Sequence, residues 1–180
     1  MSLRRKLSRL IGLEEELAHL ETGTLAPDFT LRTLGGTPLR LSALLEKGPV
    51  ALVFFKISCP VCQFTFPFLH RMHKRLAHSP SSIVGVSQDD VRDTKEFCVE
   101  QGVDFPVLLD DSGYPVSNAY GLTNVPTIFL IEPDGKVKLE CMGFDKAALE
   151  KIAAELELHA KLPAQPLFRP DEVIPDYKPG

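Results

Sequence analysis

Cys59 and Cys62 stand three positions apart in Lys56-Ile57-Ser58-Cys59-Pro60-Val61-Cys62-Gln63-Phe64, directly after the apolar run Val50-Ala51-Leu52-Val53-Phe54-Phe55. Two thiols at that spacing can cycle between dithiol and disulfide, supply half of a zinc site, or act as a peroxide-attacking nucleophile with its resolving partner. They can also share a helix turn without chemistry. A continuous apolar run reads as a buried strand, and Pro60 suits the first position of a helix, where its missing N–H is not needed. Cys59 is then the expected helix cap. A sulfur there faces unpaired N–H groups and the positive end of the helix dipole, which favour a thiolate nucleophile. Cys62, one turn on, is expected deeper, on the side that carries Phe66, Leu69 and Met72. The outer thiol would attack and the inner one resolve.

A tetrahedral zinc site needs two further ligands. Cys98 and Cys141 stand alone in the sequence, and a rigid helix carries His70, His73 and His78 away from its own start. No metal is therefore expected, and those histidines read as surface residues beside Lys74 and Arg75. Cys98, beside Phe97, and Cys141, in phase with Val137 and Leu139, read as small buried apolar side chains. Asp89-Asp90 reads as a capping turn.

The elements that must hold the pair are legible around it. Leu3, Leu7, Leu10, Ile11, Leu13, Leu17 and Leu20 have helical spacing, so residues 3–20 are expected to form an amphipathic helix. Its charge order opposes the helix dipole, so packing on the domain, or a homodimer contact, must hold it. After Gly23, strand and helix alternate. Extended segments are expected at Phe29–Arg32, Val50–Phe55, Ile83–Ser87, Pro106–Leu109 and Thr127–Ile131, the last joined by Pro133-Asp134-Gly135 to Lys136–Cys141. Helices are expected over Leu41–Lys47, from Pro60 to about His78, over Asp90–Gln101 and Tyr114–Tyr120, and from the Asp145 cap to about His159. This is the α/β class: a central mixed β-sheet with helices on both faces. The division is an N-terminal helical extension over residues 1–24, a domain over 25–160, and a C-terminal tail over 161–180. Five prolines in that tail (Pro163, Pro166, Pro170, Pro175, Pro179) argue for an extended segment without regular structure, lying on the surface.

Composition limits the function. At 180 residues and 44% hydrophobic, one core with extensions is expected. A net charge of -4 gives no support for nucleic-acid binding. Four cysteines are too few for a disulfide-stapled scaffold. The basic amino end is interrupted by Glu14, Glu15 and Glu16 before any long apolar run, and no uncharged stretch approaches the ~18 residues of a membrane span, so a cytoplasmic protein is expected, with a periplasmic one as the alternative if a leader has been removed.

Ala26-Pro27-Asp28-Phe29-Thr30-Leu31, the strand into Cys59-Pro60-Val61-Cys62, Pro67 on the next helix, and Val125-Pro126-Thr127 before a strand and hairpin together resemble the thioredoxin-like superfamily. Over roughly residues 25–160 they are similar to its redoxin branch, the TlpA/ResA-like disulfide reductases and the AhpC/TSA peroxiredoxins. The resemblance implies a thioredoxin-like fold and a thiol–disulfide oxidoreductase with a redox-active Cys59–Cys62 disulfide and no bound cofactor. It implies a cis Pro126 facing the cysteines, with Pro60, Val125 and Pro126 in contact with the substrate. Protein or small-thiol disulfides, together with an upstream reductant, are the implied partners.

The sequence departs from both branches. Peroxiredoxins have a hydroxyl residue three before the nucleophile and a proline four before that, where this chain has Lys56 and Leu52, and their later arginine would fall near Pro126. Thioredoxin's buried acid is replaced by Val53, the TlpA-like glutamate by Thr65, and the tryptophan before the first cysteine by Ser58. Lys56 and Ser58 are thus candidate modulators, and Cys62 lacks its familiar proton acceptor. A thiol peroxidase, and a non-catalytic binding or redox-sensing module, stand as alternatives.

Overall fold

The structure, a computed structural model, describes residues 19–180. The expected amino-terminal helix lies outside the described residues except for His19 and Leu20, which are not helical. In chain order come β1 (Thr30–Thr33), β2 (Pro38–Arg40), α1 (Leu41–Leu45), β3 (Val50–Phe55), α2 (Pro60–Arg75), β4 (Ser82–Ser87) and α3 (Val91–Glu100). There follow β5 (Val107–Leu109), α4 (Pro115–Ala119), β6 (Thr127–Ile131), β7 (Val137–Met142), β8 (Phe144–Asp145), α5 (Lys146–His159) and β9 (Tyr177–Lys178).

Seven strands form one mixed sheet in the order β2-β1-β5-β4-β3-β6-β7. The most apolar strand, β3, lies inside it and is wholly buried, paired parallel to β4 and antiparallel to β6. Alternation along β3 divides the core in two. Ala51, Val53 and Phe55 face the layer of α2, α3 and α5, whereas Val50, Leu52 and Phe54 face α1, α4 and Tyr120. Short β5 is not an edge: it bridges β4 and β1. Gly48, which follows α1, serves close approach, since a side chain there would meet the Pro80 carbonyl oxygen at 2.6 Å. Among the described residues no helix is long and apolar enough to cross a membrane.

The proline-rich segment departs from the expectation. Its chain is mostly extended, but Leu167 and Phe168 enter the core, and Tyr177–Lys178 forms a short antiparallel ladder with β8. Prolines remove donors without preventing anchorage by side chains and by the remaining N–H groups. The Glu150 carboxylate accepts the Leu167 and Phe168 N–H groups. Arg71 donates to the Leu167 carbonyl at 2.6 Å and to both oxygens of Glu172 at 2.9 and 2.6 Å. That fork holds the Glu172 carboxyl down at about 2.

Candidate active site

Strand register assembles the site at one end of the sheet. Phe55 at the end of β3 lies opposite Ser87 at the end of parallel β4, and Phe54 lies opposite Thr127 at the start of antiparallel β6. The chain leaving β3 toward Cys59, the chain leaving β4 toward Asp89 and the chain entering β6 through Val125-Pro126 therefore converge, although they come from positions up to 70 residues apart.

Cys59 caps α2. Its backbone is extended, with φ -82° and ψ 114°, Pro60 follows at the start of the helix, and its Sγ accepts the Cys62 N–H at 3.2 Å. The Cys59 thiol also points to the Val125 carbonyl oxygen, 3.3 Å away. The Val125–Pro126 peptide bond is cis, Pro126 is buried, and its carbonyl accepts the Gly143 N–H at 2.7 Å. Pro60 and Ser58 are exposed, and Val125 is half-buried.

The two thiols, both free, differ in environment. Cys59 is partly accessible, whereas Cys62 is fully buried among the side chains of its helix and the sheet. Burial pushes the Cys62 thiol well above the ordinary range. The Cys59 sulfur and the Asp89 carboxylate add to this, and the Lys56 backbone N–H works against it. At neutral pH the inner sulfur is protonated, so an incoming electrophile meets Cys59. The arrangement can carry out a two-thiol exchange in which the accessible sulfur reacts first.

The candidate modulators fall out differently from their sequence positions. The Lys56 ammonium lies 5.3 Å from the centre of the Tyr114 ring, and the Lys56 backbone carbonyl accepts the Cys59 N–H at 3.2 Å. Thr65, which stands in the place of a glutamate, is buried and donates to the Val61 carbonyl at 2.7 Å. Asp90 is the capping residue of the expected pair, accepting from Arg92 and Asp93 N–H at 2.8 and 2.9 Å.

Asp89 does something else: its Oδ2 accepts the Ile57 N–H at 2.7 Å, which ties the loop before Cys59 to the end of β4. Gln63 holds the same loop from the other side, donating to the Ile57 carbonyl at 2.8 Å. The expected capping turn is present, with the Asp89 carbonyl accepting the Thr94 hydroxyl at 3.3 Å, and the Asp89 side chain adds a loop tie that only parallel pairing of β3 and β4 reveals. Sequence reasoning also passed over Asp110. Its buried carboxylate accepts the Val116 and Ser117 N–H groups at 3.2 and 2.8 Å and the Ser117 hydroxyl at 2.7 Å, fixing α4 at this end of the sheet.

His70 and His73 are half-buried rather than plainly on the surface, and both face Asp104, at 3.0 and 3.8 Å. Cys98 and Cys141 are buried as expected, and burial pushes their thiols up to about 11 and about 12, away from reactivity at neutral pH.

Comparison with known proteins agrees with this geometry. The AhpC/TSA family model matches residues 22–140. The thiol-disulfide oxidoreductase ResA of Bacillus subtilis is 35% identical over 119 residues, which cover 66% of this chain and 65% of that protein. The chain thus spans just under two thirds of that relative's length. A thiol:disulfide interchange protein of the thioredoxin family from Chlorobium tepidum superposes with a TM-score of 0.63 at 28% identity, over 77% of this chain and 99% of its own. The peroxidoxin BcpB of Mycobacterium tuberculosis does so with a TM-score of 0.68 at 32% identity, over 78% and 98%. The mixed sheet, the cysteine pair at the start of α2 and these likenesses agree: the chain has a thioredoxin-like fold and belongs to the AhpC/TSA family.

Proposed function

We propose that this protein is a thiol–disulfide oxidoreductase that exchanges disulfides with protein or small-thiol substrates through Cys59 and Cys62. The observation that carries the reading is the asymmetry of the pair: Cys59 is accessible at a helix cap and Cys62 is buried one turn behind it. In the reducing direction the Cys59 thiolate attacks a substrate disulfide, forming a Cys59–substrate bond and releasing one substrate thiolate. Cys62 then gives up its proton and attacks Cys59, which closes the Cys59–Cys62 disulfide and frees the second substrate thiolate. The proton of the buried Cys62 thiol must leave before that attack, and the Asp89 charge, which disfavours a second negative charge at Cys62, makes its loss harder while the pair is reduced. An upstream dithiol returns the pair to its reduced form. Pro60 follows Cys59 and Pro126 follows the Val125 whose carbonyl faces Cys59, and these three residues are the proposed substrate contacts, with the Val125 carbonyl as the backbone edge for an extended substrate. A cytoplasmic setting belongs to the same proposal, and with it the reducing direction, since that compartment keeps thiols reduced.

The likeness to a peroxidoxin supports a second reading. Here the Cys59 thiolate attacks a peroxide, becomes a sulfenic acid with loss of water or alcohol, and condenses with Cys62 to the same disulfide with release of water. Lys56, where a hydroxyl residue would help orient the peroxide, counts against it.

Insulin-disulfide reduction and peroxide consumption by wild type, Cys59→Ser and Cys62→Ser separate the two. The expected result is disulfide reduction by wild type only, with Cys62→Ser held as a mixed disulfide. Peroxide turnover that persists in Cys62→Ser, with no disulfide reduction by wild type, would reverse the assignment.

A further inference from the structure

The segment that follows the buried Phe168 crosses the edge where a substrate would dock. Pairing of Tyr177 with Asp145 and of Lys178 with Phe144, together with a 2.9 Å bond from the Lys146 N–H to the Asp176 carbonyl, lays residues 176–178 along β8. Beyond it the chain passes Gly143, whose φ of +69° and missing side chain both matter here. A Cβ on Gly143 would run into the Lys178 carbonyl oxygen and lie 2.9 Å from the Gly180 nitrogen. The same Gly143 donates its N–H to the Pro126 carbonyl. Residues 178–180 therefore lie against the backbone that carries Pro126.

The contact extends to the reactive sulfur's own neighbour. A methyl group on Gly180 would stand 2.5 Å from the Val125 carbonyl oxygen and 2.8 Å from the Asn124 Nδ2. That carbonyl is the one the Cys59 thiol faces at 3.3 Å. On the opposite side, the Lys178 ammonium sits 4.8 Å from the centre of the Phe64 ring, and Phe64 is the second residue after Cys62 on α2. The segment thus spans both borders of the exchange site, from the active-site helix to the chain entering β6.

We propose that residues 177–180 select the substrate class. They occupy backbone surface at Val125 that an extended polypeptide would need, while leaving Cys59 itself partly accessible. Small disulfides reach the sulfur directly, and a protein disulfide must first displace the segment from Gly143 and Val125. This rests on the reading of Cys59, Val125 and Pro126 as a disulfide-exchange site. Displacement is local, because the buried anchors Leu167 and Phe168 and the Arg71–Glu172 fork precede the segment and stay in place.

The test compares the full chain with a variant lacking residues 177–180, using insulin as protein disulfide and glutathione disulfide as small one. Removal is expected to raise kcat/KM for insulin about tenfold, chiefly through KM, and to leave glutathione disulfide within about twofold. Tenfold corresponds to ~1.4 kcal/mol for the contacts a protein substrate must otherwise break. Gly180→Ala, which pushes on the Val125 carbonyl without shortening the chain, is expected to move insulin in the same direction. A separate readout is alkylation of Cys59 in the reduced protein. A bulky polyethylene-glycol maleimide is expected to react faster after removal, and iodoacetamide at an unchanged rate. If removal changes both substrates equally, or neither, and the bulky reagent gains nothing, the segment does not select. If the full chain reduces neither disulfide while the labelling difference holds, the exchange reading fails and the segment merely covers Cys59.

Discussion

Phe168→Ala measures how far the proline-rich segment belongs to the core. The ring is 5% exposed, its centre lies 4.8 Å from that of Phe68 and 5.8 Å from that of Phe144, and the Lys146 ammonium stands 5.7 Å above it. Returning such a ring to water costs roughly 1.5–3 kcal/mol, and the unfilled space between Phe68 and Phe144 raises the loss to about 3–5 kcal/mol. For a domain of this size each kcal/mol lowers Tm by about 2–4 °C, so the expected fall is roughly 6–20 °C. With no tryptophan in the chain, the transition is followed by far-UV circular dichroism in heat and in urea. Combining the change with Phe68→Leu should give a coupling of about 0.5–1.5 kcal/mol, since removal of either ring disrupts the same aromatic pair. A loss under about 1 kcal/mol, or strict additivity with Phe68→Leu, would mean that the segment rests on the surface and that its side chains do not complete the core.

Asp89→Asn keeps an oxygen for the Ile57 N–H and removes the charge that helps hold the Cys62 thiol up. The Cys62 titration, read by pH-dependent alkylation in a Cys59→Ser background, is expected to move to lower pH, though burial keeps it above an ordinary thiol; an unmoved titration would show that Asp89 acts only as a loop tie. His19 bears on stability. Burial pulls its pKa down, but the Gly121 carbonyl and Glu140 outweigh that and leave it raised above 6.5. Its charged form is therefore stabilising, fully so below about pH 6.5, and the contribution fades as pH rises through the raised folded value. Urea midpoints at pH 6 and pH 8.5 should converge in His19→Gln relative to wild type, and an identical pH dependence would refute the assignment.

Legibility in the sequence followed the range of the interaction. Six consecutive apolar residues announced β3 because burial on both faces needs no partner to be recognised. Pro133-Asp134-Gly135 announced the β6–β7 hairpin because turn chemistry is local. Cys59 could be placed as a cap from Pro60 alone, and Cys62 as the inner thiol from helical spacing, since one turn fixes both. By contrast, β2 was missed: three residues containing a proline carry no period, and their pairing with β1 supplies what the pattern lacks.

The parts of the site that escaped the sequence are those that depend on register between distant strands. Asp89 and Asp90 are adjacent, and either could cap α3; their division of labour arises because Phe55 pairs with Ser87, which brings Asp89 but not Asp90 within reach of Ile57. The same holds on the other side of Cys59. Gly180 meets Val125 only because β8 and β9 align Lys178 with Phe144, and because Gly143, with no side chain, lets the two backbones close. Proline content correctly predicted extended chain for residues 161–180 but carried no information on where it would lie. Position came from the Leu167 and Phe168 side chains, which enter the core, from the Leu167 N–H, which meets Glu150 on α5, and from Glu172, which pairs with Arg71 on α2. Tail anchorage and the thiol pair thus share one helix: the α2 that carries Cys59 and Cys62 at its start carries Phe64, Phe68 and Arg71 beyond it, all in contact with the proline-rich segment whose end reaches Val125 beside Cys59.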